Sequence, residues 1–472
     1  MYFRRFYDEQ LAQASYLIGC QANGTAIVID PARVIAPYLE VAAAEGFTIV
    51  AVTETHIHAD FMSGLRELAA ATGARMHVSG CGTRDWQYGF RTDPNVAVLA
   101  DRDTITIGNI TIQAVHTPGH TPEHLVFVVT DGATATEPIG VVTGDFVFVG
   151  DVGRPDLLEK AARIANTAEA GARQLYRSLA WFKTLPDHLQ VWPGHGAGSA
   201  CGKGLGAMPQ STVGYERRFN WAFGPDREDE FVRQVLAGQP EPPRYFARMK
   251  QVNRDGPPVL RTLPSPRHLS AVDLGPVLRS GAPVIDMRPA ADYAGGHVPG
   301  TINIPLTRSF VTYAGSLLPY DQDLHFILPA PTEADVVRLV ALLVSIGFDR
   351  VGGVAGAEIV QGWSAGGGSL ATLTRRSVAE IRQSAPRGMT LDVRNRSEWD
   401  LGRLPGATHI PLPELLERIG DLSPDAEVLV HCQSGSRSAI AASVLEARGF
   451  SRVADLLGGF ESWAAEGGPV ER

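Results

Sequence analysis

The feature that most constrains this chain is a repeat inside its second half. PVIDMRPAADYAGGHVPGTINIPL, residues 283–306, matches MTLDVRNRSEWDLGRLPGATHIPL, residues 389–412, at a constant offset of 106. Asp286, Arg288, Pro299, Gly300, Ile304, Pro305 and Leu306 align with Asp392, Arg394, Pro405, Gly406, Ile410, Pro411 and Leu412. Further on, SIGF at 345–348 matches ARGF at 447–450 at an offset of 102, so the first copy holds a loop four residues longer. Each copy runs strand, loop, strand, helix, the order of a parallel sheet. Two α/β domains of one kind are therefore expected, at residues 268–370 and 371–472.

The remaining length suits one larger domain ahead of the pair. Residues 237–266 hold seven prolines, too dense for a helix interior. A Pro-rich linker is expected over 241–267, after a first domain at 1–240. In that domain Ser15–Cys20 and Thr25–Asp30 read as a hairpin turned at Asn23-Gly24. Val34–Gly46 reads as an amphipathic helix and Phe47–Thr53 as a buried strand. Strand signals follow at Ala97–Ala100, Ile105–Ile107, Ile110–Val115, His124–Val129 and Ile139–Val142, and helical ones at Glu159–Lys183 and Asp226–Leu236. This mixture predicts two sheets covered by helices.

Charge narrows the function. The net charge is −9 with no long basic run, which argues against a nucleic-acid partner. No stretch approaches the ~20 apolar residues of a membrane span, and the start, MYFRRFYDEQ, lacks the apolar segment of a secretory signal. The four cysteines, Cys20, Cys81, Cys201 and Cys432, lie too far apart for a disulfide framework. Free thiols in a cytoplasmic protein, assembled as a homo-oligomer, are expected.

Four short motifs then appear in order: His56-Ile-His58-Ala-Asp60, the HTPGHT stretch with His116 and His120, Thr-Gly-Asp145, and Pro-Gly-His195-Gly. Each ends a hydrophobic strand run. A lone histidine is more often a surface or hydrogen-bonded residue, but strand ends that deliver His and Asp into one cleft are how metal sites are commonly built. In the C-terminal copy, Val428–His431 reads as a strand, followed by Cys432-Gln-Ser-Gly-Ser-Arg437 and a helix over Ala439–Arg448. A cysteine at such a turn sits over backbone N–H groups and a helix N-terminus, which favour the thiolate.

On these motifs the first 240 residues resemble the metallo-β-lactamase superfamily, an αββα sandwich, and within it the ETHE-type persulfide dioxygenases. The resemblance implies one Fe(II) per chain, held by His56, His120 and Asp145, with open positions for O2 and a substrate sulfur. His58, Asp60 and His195 would orient ligands and water. Dinuclear zinc hydrolases of the superfamily carry HxHxDH, and here Phe61 stands in the last place, so a second metal site would lose a ligand. Asp-Val-Gly-Arg154-Pro-Asp is similar to a family segment and implies that Arg154 contacts the anionic part of a thiol carrier. Gly196-Ala197 replaces the acidic-aromatic pair of glutathione-specific members, which leaves the carrier open. Cys201, six residues after His195 in a glycine-rich loop, is expected near the metal and its substrate.

LDVRNRSEW, LPGATHIPL and CQSGSR make the last hundred or so residues similar to a rhodanese domain. That implies that Cys432 carries a persulfide, stabilised by the loop amides and Arg437. The middle copy has Ala330 and Asp335 in their places and is expected to be inactive, with a packing role. The whole chain thus resembles bacterial persulfide dioxygenase–rhodanese fusions of the CstB type, an α/β chain of one αββα sandwich and two rhodanese-like domains. The implied partners are a small-molecule thiol persulfide and O2, with sulfite and thiosulfate as products. Rival readings are a glyoxalase II-type thioester hydrolase with a rhodanese appendage, and a sulfur-relay or sensor protein.

Overall fold

The computed structural model of the chain describes residues 1–162, 167–384 and 388–472. The chain divides into two compact units, Met1–Leu263 with Val344–Gly347, and Pro264–Leu343 with Phe348–Arg472. In the first unit, β1 (Tyr2–Asp8), β2 (Gln13–Cys20), β3 (Thr25–Ile29), β4 (Thr48–Thr53), β5 (Arg75–Ser79) and β6 (Val96–Leu99) lie side by side in chain order. A second sheet holds β7 (Thr104–Ile107), β8 (Ile110–His116), β9 (Leu125–Asp131), β10 (Gly140–Gly144), β11 (Gln190–Pro193) and β12 (Ser211–Thr212). Residues alternate between the faces of a strand, so each sheet is apolar on both sides. Tyr16, Ile18, Ile27 and Ile29 meet Ile112, Phe127 and Val129 between the sheets. Leu17 and Val28 face outward onto Tyr38, Leu65 and Leu68. Val126 and Val141 face outward onto Leu175, Leu179 and Phe182 of the helix Ala168–Phe182. The result is four layers, αββα, as expected.

The hairpin signal at Asn23-Gly24 is the β2–β3 turn, where Gly24 takes a φ of 68°. The helix expected at Glu159–Lys183 is found as Leu157–Ala162 and Ala168–Phe182, and residues 163–166 lie outside the described residues. Elements that escaped the periodicity reading include β1, β5 and the helices Leu65–Thr72 and Val213–Phe219. Among the described residues no helix is long and apolar enough to cross a membrane.

The Pro-rich segment requires a correction. A helix, Tyr245–Asp255, occupies its proline-free middle, and the prolines at 242, 243, 257 and 258 flank it. The segment packs on the first unit instead of hanging as a linker. Arg66 donates to the Gly256 and Pro257 carbonyls at 3.0 and 2.7 Å, and Arg33 donates to Pro258 at 2.9 Å. Buried Asn253 donates to the His58 and Phe61 carbonyls and accepts from the Ser63 N–H, at 2.8, 2.7 and 3.0 Å.

The second unit holds two five-stranded sheets of one topology. The first has the order β13 (Arg267–His268), β17 (Val351–Gly356), β16 (Leu324–Leu328), β14 (Val284–Asp286), β15 (Ile302–Asn303). The other repeats it with β18 (Thr374–Arg376), β22 (Val453–Leu456), β21 (Val428–His431), β19 (Met389–Asp392), β20 (Thr408–His409). Every pairing is parallel, as a strand–helix repeat demands. The aligned pairs Asp286–Arg288 and Asp392–Arg394 make the same buried ion pair, at 2.6 and 2.7 Å. The helix Ser436–Ala447 is buried from Ser438 to Leu445 because it packs on β21 and β22 on one side and on β15 of the other copy on the other. Ser443 accepts from the Asn303 N–H at 2.9 Å, and His297 meets Glu446 at 3.2 Å.

Replacing Asn253 by Ala removes three hydrogen bonds and leaves two carbonyls and one N–H buried without partners. We expect a loss of about 2–3 kcal/mol in the unfolding of the first unit, measured as a lowered urea midpoint at an unchanged slope.

Candidate metal centre and cysteine loop

The polar residues of the first unit gather where several strands end. His56 and His58 follow β4, His120 lies between β8 and β9, and Asp145 and His195 follow the parallel pair β10 and β11. Close approach is sterically exacting here: a Cβ on Gly194 would stand 2.7 Å from Asp145 Oδ1. His56 Nε2 and His120 Nε2 lie 3.9 and 3.5 Å from Asp145 Oδ2. His56, His120 and Asp145 thus form one group of mutually close ligand atoms.

Each imidazole is aimed by its other nitrogen. His120 Nδ1–H donates to the Arg154 carbonyl at 3.0 Å, and His195 Nδ1–H donates to Ala12 at 3.1 Å. His56 Nδ1 lies 3.0 Å from Thr55 Oγ1. The Nε2 lone pairs are therefore left facing Asp145, the arrangement of metal-binding histidines. Burial first, then neighbouring histidines, holds His56 well below the usual imidazole range. Burial likewise lowers His120, against the pull of Asp145. Neutral rings are the form a cation binds. Among the described residues neither carboxylate oxygen of Asp145 or of Asp60 has a hydrogen-bond donor. Buried carboxylates without donors carry a large desolvation penalty, which a bound cation removes, so these residues fit a metal.

The neighbours sort into different roles. His58 turns to Asp30 at 3.0 Å, and Asp30 also accepts from the Thr55 N–H at 2.6 Å. Burial opposes charge on His58, but Asp30, Glu54 and Asp60 outweigh it and push its pKa up to about 9. Asp60 and His195 form a second group with Cys201, all buried. His116 stays outside and meets the Pro122 carbonyl at 2.8 Å. Phe61 is fully buried against His58.

Arg154 differs from the expectation. Its guanidinium is fully buried and bidentate to Asp156 at 2.8 and 2.8 Å, with a third bond to the Ala200 carbonyl at 3.0 Å. Its charge is paired with Asp156 inside the protein. Its backbone accepts from His120 and its N–H donates to the Cys201 carbonyl, so Arg154 ties the two groups together. Motif reasoning also missed Asp30, Asn253 and His124. His124 stacks on His56 at 5.1 Å and accepts from the Asp145 N–H at 3.2 Å. It lies in the same TPGHTPEH stretch as His120, which was the available signal.

In the second unit, buried Cys432 directly follows β21. The Gly435 N–H donates to its Sγ at 3.1 Å, and Gly435 takes a φ of 102° to turn the loop into the helix. Arg437 is not free to lie on the sulfur alone: it is bidentate to Glu398 at 2.6 and 2.7 Å. In the middle copy Asp335 instead accepts from the Thr332 N–H and hydroxyl, at 3.0 and 2.6 Å, capping the helix Glu333–Ser345 where the other copy has its loop.

An αββα sandwich with His and Asp at its strand ends is the class of metal protein that known relatives share. Residues 9–195 match the metallo-beta-lactamase superfamily, and residues 377–466 match the rhodanese-like domain. The crystal structure of a metallo-beta-lactamase from Staphylococcus aureus subsp. aureus COL is 41% identical, with 75% of this chain and 98% of that one covered and a TM-score of 0.67. The crystal structure of ETHE1 from Myxococcus xanthus is 26% identical, over 54% of this chain and 98% of that one, with a TM-score of 0.44. A hydroxyacylglutathione hydrolase of Rhodospirillum rubrum is 29% identical over 38% of this chain and 60% of its own length. The chain belongs to the metallo-beta-lactamase superfamily and carries a rhodanese-like domain at its C-terminal end.

Arg154→Ala removes the bidentate partner of Asp156 and leaves Lys160, 3.1 Å from its Oδ2, as the remaining cation. We expect a loss of about 2–4 kcal/mol of stability, part of which Asp156→Ala restores in the double variant. A raised KM with unchanged stability would instead mean that Arg154 faces substrate.

Proposed function

We propose that this chain oxidises low-molecular-weight persulfides with O2 and passes sulfane sulfur through Cys432 to give thiosulfate. The observation that carries this reading is a two-histidine, one-carboxylate group in the same chain as a cysteine on a rhodanese-like loop. His56, His120 and Asp145 would hold one Fe(II). When bound, such an ion supplies the open positions on which O2 and a sulfur ligand meet. In net terms one persulfide, one O2 and one water give the free thiol, sulfite and two protons. Nδ1–H bonds to Arg154, and the Thr55 contact, keep His120 and His56 aimed during turnover.

The second step belongs to Cys432. Its thiolate attacks the outer sulfur of another persulfide and releases the thiol. Sulfite then attacks the outer sulfur of the Cys432 persulfide, forming thiosulfate and regenerating the thiolate. The Gly435 N–H and the N-terminus of the helix Ser436–Ala447 stabilise the anionic sulfur. Arg437, paired with Glu398 through both terminal nitrogens, holds the loop in shape more than it supplies a free charge.

A metal-dependent thioester hydrolase is the second reading. Asp60 and His195 favour it, because they are grouped beside the first site with a third potential ligand. Phe61, which cannot bind metal, weighs against it.

Protein purified without oxygen should contain iron and consume O2 when given a persulfide, and His120→Ala should lose both. Rapid thioester hydrolysis without O2 uptake would select the hydrolase. Cys432→Ser should keep O2 uptake and shift the early product from thiosulfate to sulfite, measured before uncatalysed reaction of sulfite with persulfide accumulates. The same variant should lose all thiosulfate:cyanide activity, because the middle copy offers no thiol at Ala330.

A further inference from the structure

The Cys432 loop is held from the neighbouring strand as well as from its own. β22 runs into a turn at Gly458-Gly459. Beyond it the Phe460 N–H donates to the Cys432 carbonyl at 2.7 Å and the Glu461 N–H to the Gln433 carbonyl at 3.0 Å. A Cβ at Gly459, which takes a φ of 60°, would collide with the Cys432 carbonyl. β22 also carries Asp455. Its side chain is fully buried, and Arg375, its register partner on β18, pairs with Oδ2 at 3.4 Å. Oδ1 has no hydrogen-bond donor among the described residues.

Ser438, the third residue of the helix Ser436–Ala447, faces this carboxylate. Its hydroxyl donates to the Gly435 carbonyl at 3.2 Å, which is long for an O–H···O bond. That carbonyl already accepts from the Ala439 N–H at 3.2 Å, and a carboxylate oxygen is the stronger acceptor. With either acceptor the hydroxyl ties down the first turn, to the peptide beneath Sγ or to β22. The buried residues that follow are Ala439, Ile440, Ala441 and Ala442. Apolar contacts of that kind are not directional, so they press the helix onto the sheet without fixing its position along it. A hydroxyl beside a strand carboxylate does fix it. The Gly435 N–H that meets Sγ at 3.1 Å belongs to the same turn.

The middle copy is an internal control. At the offset of 102 that relates the copies beyond the loop, Ala330, Val336, Gly353 and Ala357 stand where Cys432, Ser438, Asp455 and Gly459 do. The strand register is the same, with Arg267 opposite Gly353 as Arg375 is opposite Asp455. Arg267 has no carboxylate across the strands and pairs instead with Asp273 at 3.0 Å on the surface. The polar network is found where the thiol is, on a backbone that the two copies share.

We propose that Arg375, Asp455 and Ser438 are positioning residues for the Cys432 loop. Asp455, paired with Arg375, anchors the first turn of the helix through Ser438 and so keeps the Gly435 N–H on the sulfur. The proposal rests on the reading of Cys432 as the sulfur carrier.

The test uses the full chain. It follows thiosulfate:cyanide turnover together with the pH dependence of the thiolate ultraviolet absorbance, with Cys432→Ser subtracted. Ser438→Ala, which changes no charge, should lower kcat roughly tenfold and leave KM within about twofold. It should move the thiolate transition upward by roughly half a unit to one unit, because the thiolate loses a well-placed donor. Asp455→Leu and Asp455→Asn remove the same charge, but only Asn keeps an acceptor for the hydroxyl. Asp455→Leu should therefore lose as much kcat as Ser438→Ala, and Asp455→Asn should keep most of it. The variant with both Ser438→Ala and Asp455→Leu should be no worse than either alone, as one network requires. Where Asp455→Leu fails to fold, Ser438→Ala decides. Wild-type kcat with an unmoved thiolate transition in Ser438→Ala overturns the proposal, as do equal losses in Asp455→Leu and Asp455→Asn. Absence of turnover in the wild type would instead sink the sulfur-carrier reading, and the thiolate transition would still decide whether Ser438 positions the sulfur.

Discussion

The Asp145 carboxylate is the constraint around which the first unit is arranged. It is fully buried, receives no hydrogen bond on either oxygen among the described residues, and is ringed by imidazole nitrogens whose protons point elsewhere. A bound cation would relieve such a carboxylate, so the architecture suits a container for one. The strand ends supply the side chains, and the glycines let backbones close in. Gly194 leaves room beside Asp145, and a Cβ at Gly153 would collide with its carbonyl.

The support of that container comes from residues without metal-binding chemistry of their own. Asp30 holds His58 and Thr55, and through Thr55 it steadies His56. Asn253, far along the chain, clamps the backbone of the loop that carries His58 and Phe61. Arg154 spends its charge on Asp156 and its backbone on His120 and Cys201. A buried, fully satisfied arginine of this kind gives rigidity to a site more readily than recognition of a ligand.

The second unit illustrates how one fold diverges by local chemistry. Both copies keep the Asp–Arg ion pair and the five-strand order. Only one keeps a thiol over a helix N-terminus. In the other, Thr332 and Asp335 convert the same turn into an ordinary helix cap. That copy still buries one side of the helix that follows Cys432, and Asn303 bonds directly into it. The copy without a thiol at this turn is therefore part of the structure on which Cys432 is mounted.

The sequence by itself determined the repeat, the αββα layering and the motif residues His56, His120, Asp145, His195 and Cys432. These were legible because strand periodicity, turn dipeptides and short-range spacing are local properties of the chain. Only the tertiary structure decided which of them meet. Histidines two residues apart diverge, His56 toward Asp145 and His58 toward Asp30. A cysteine from a separate loop joins Asp60 and His195. Arg154 and Arg437 find carboxylates two and thirty-nine positions away and form ion pairs with them. The proline-flanked segment likewise read as a linker, because proline spacing records where a helix cannot run but not what the intervening residues will pack against. Partner choice between distant side chains depends on burial and on competition among all available donors and acceptors. That competition is settled only when the whole chain has closed.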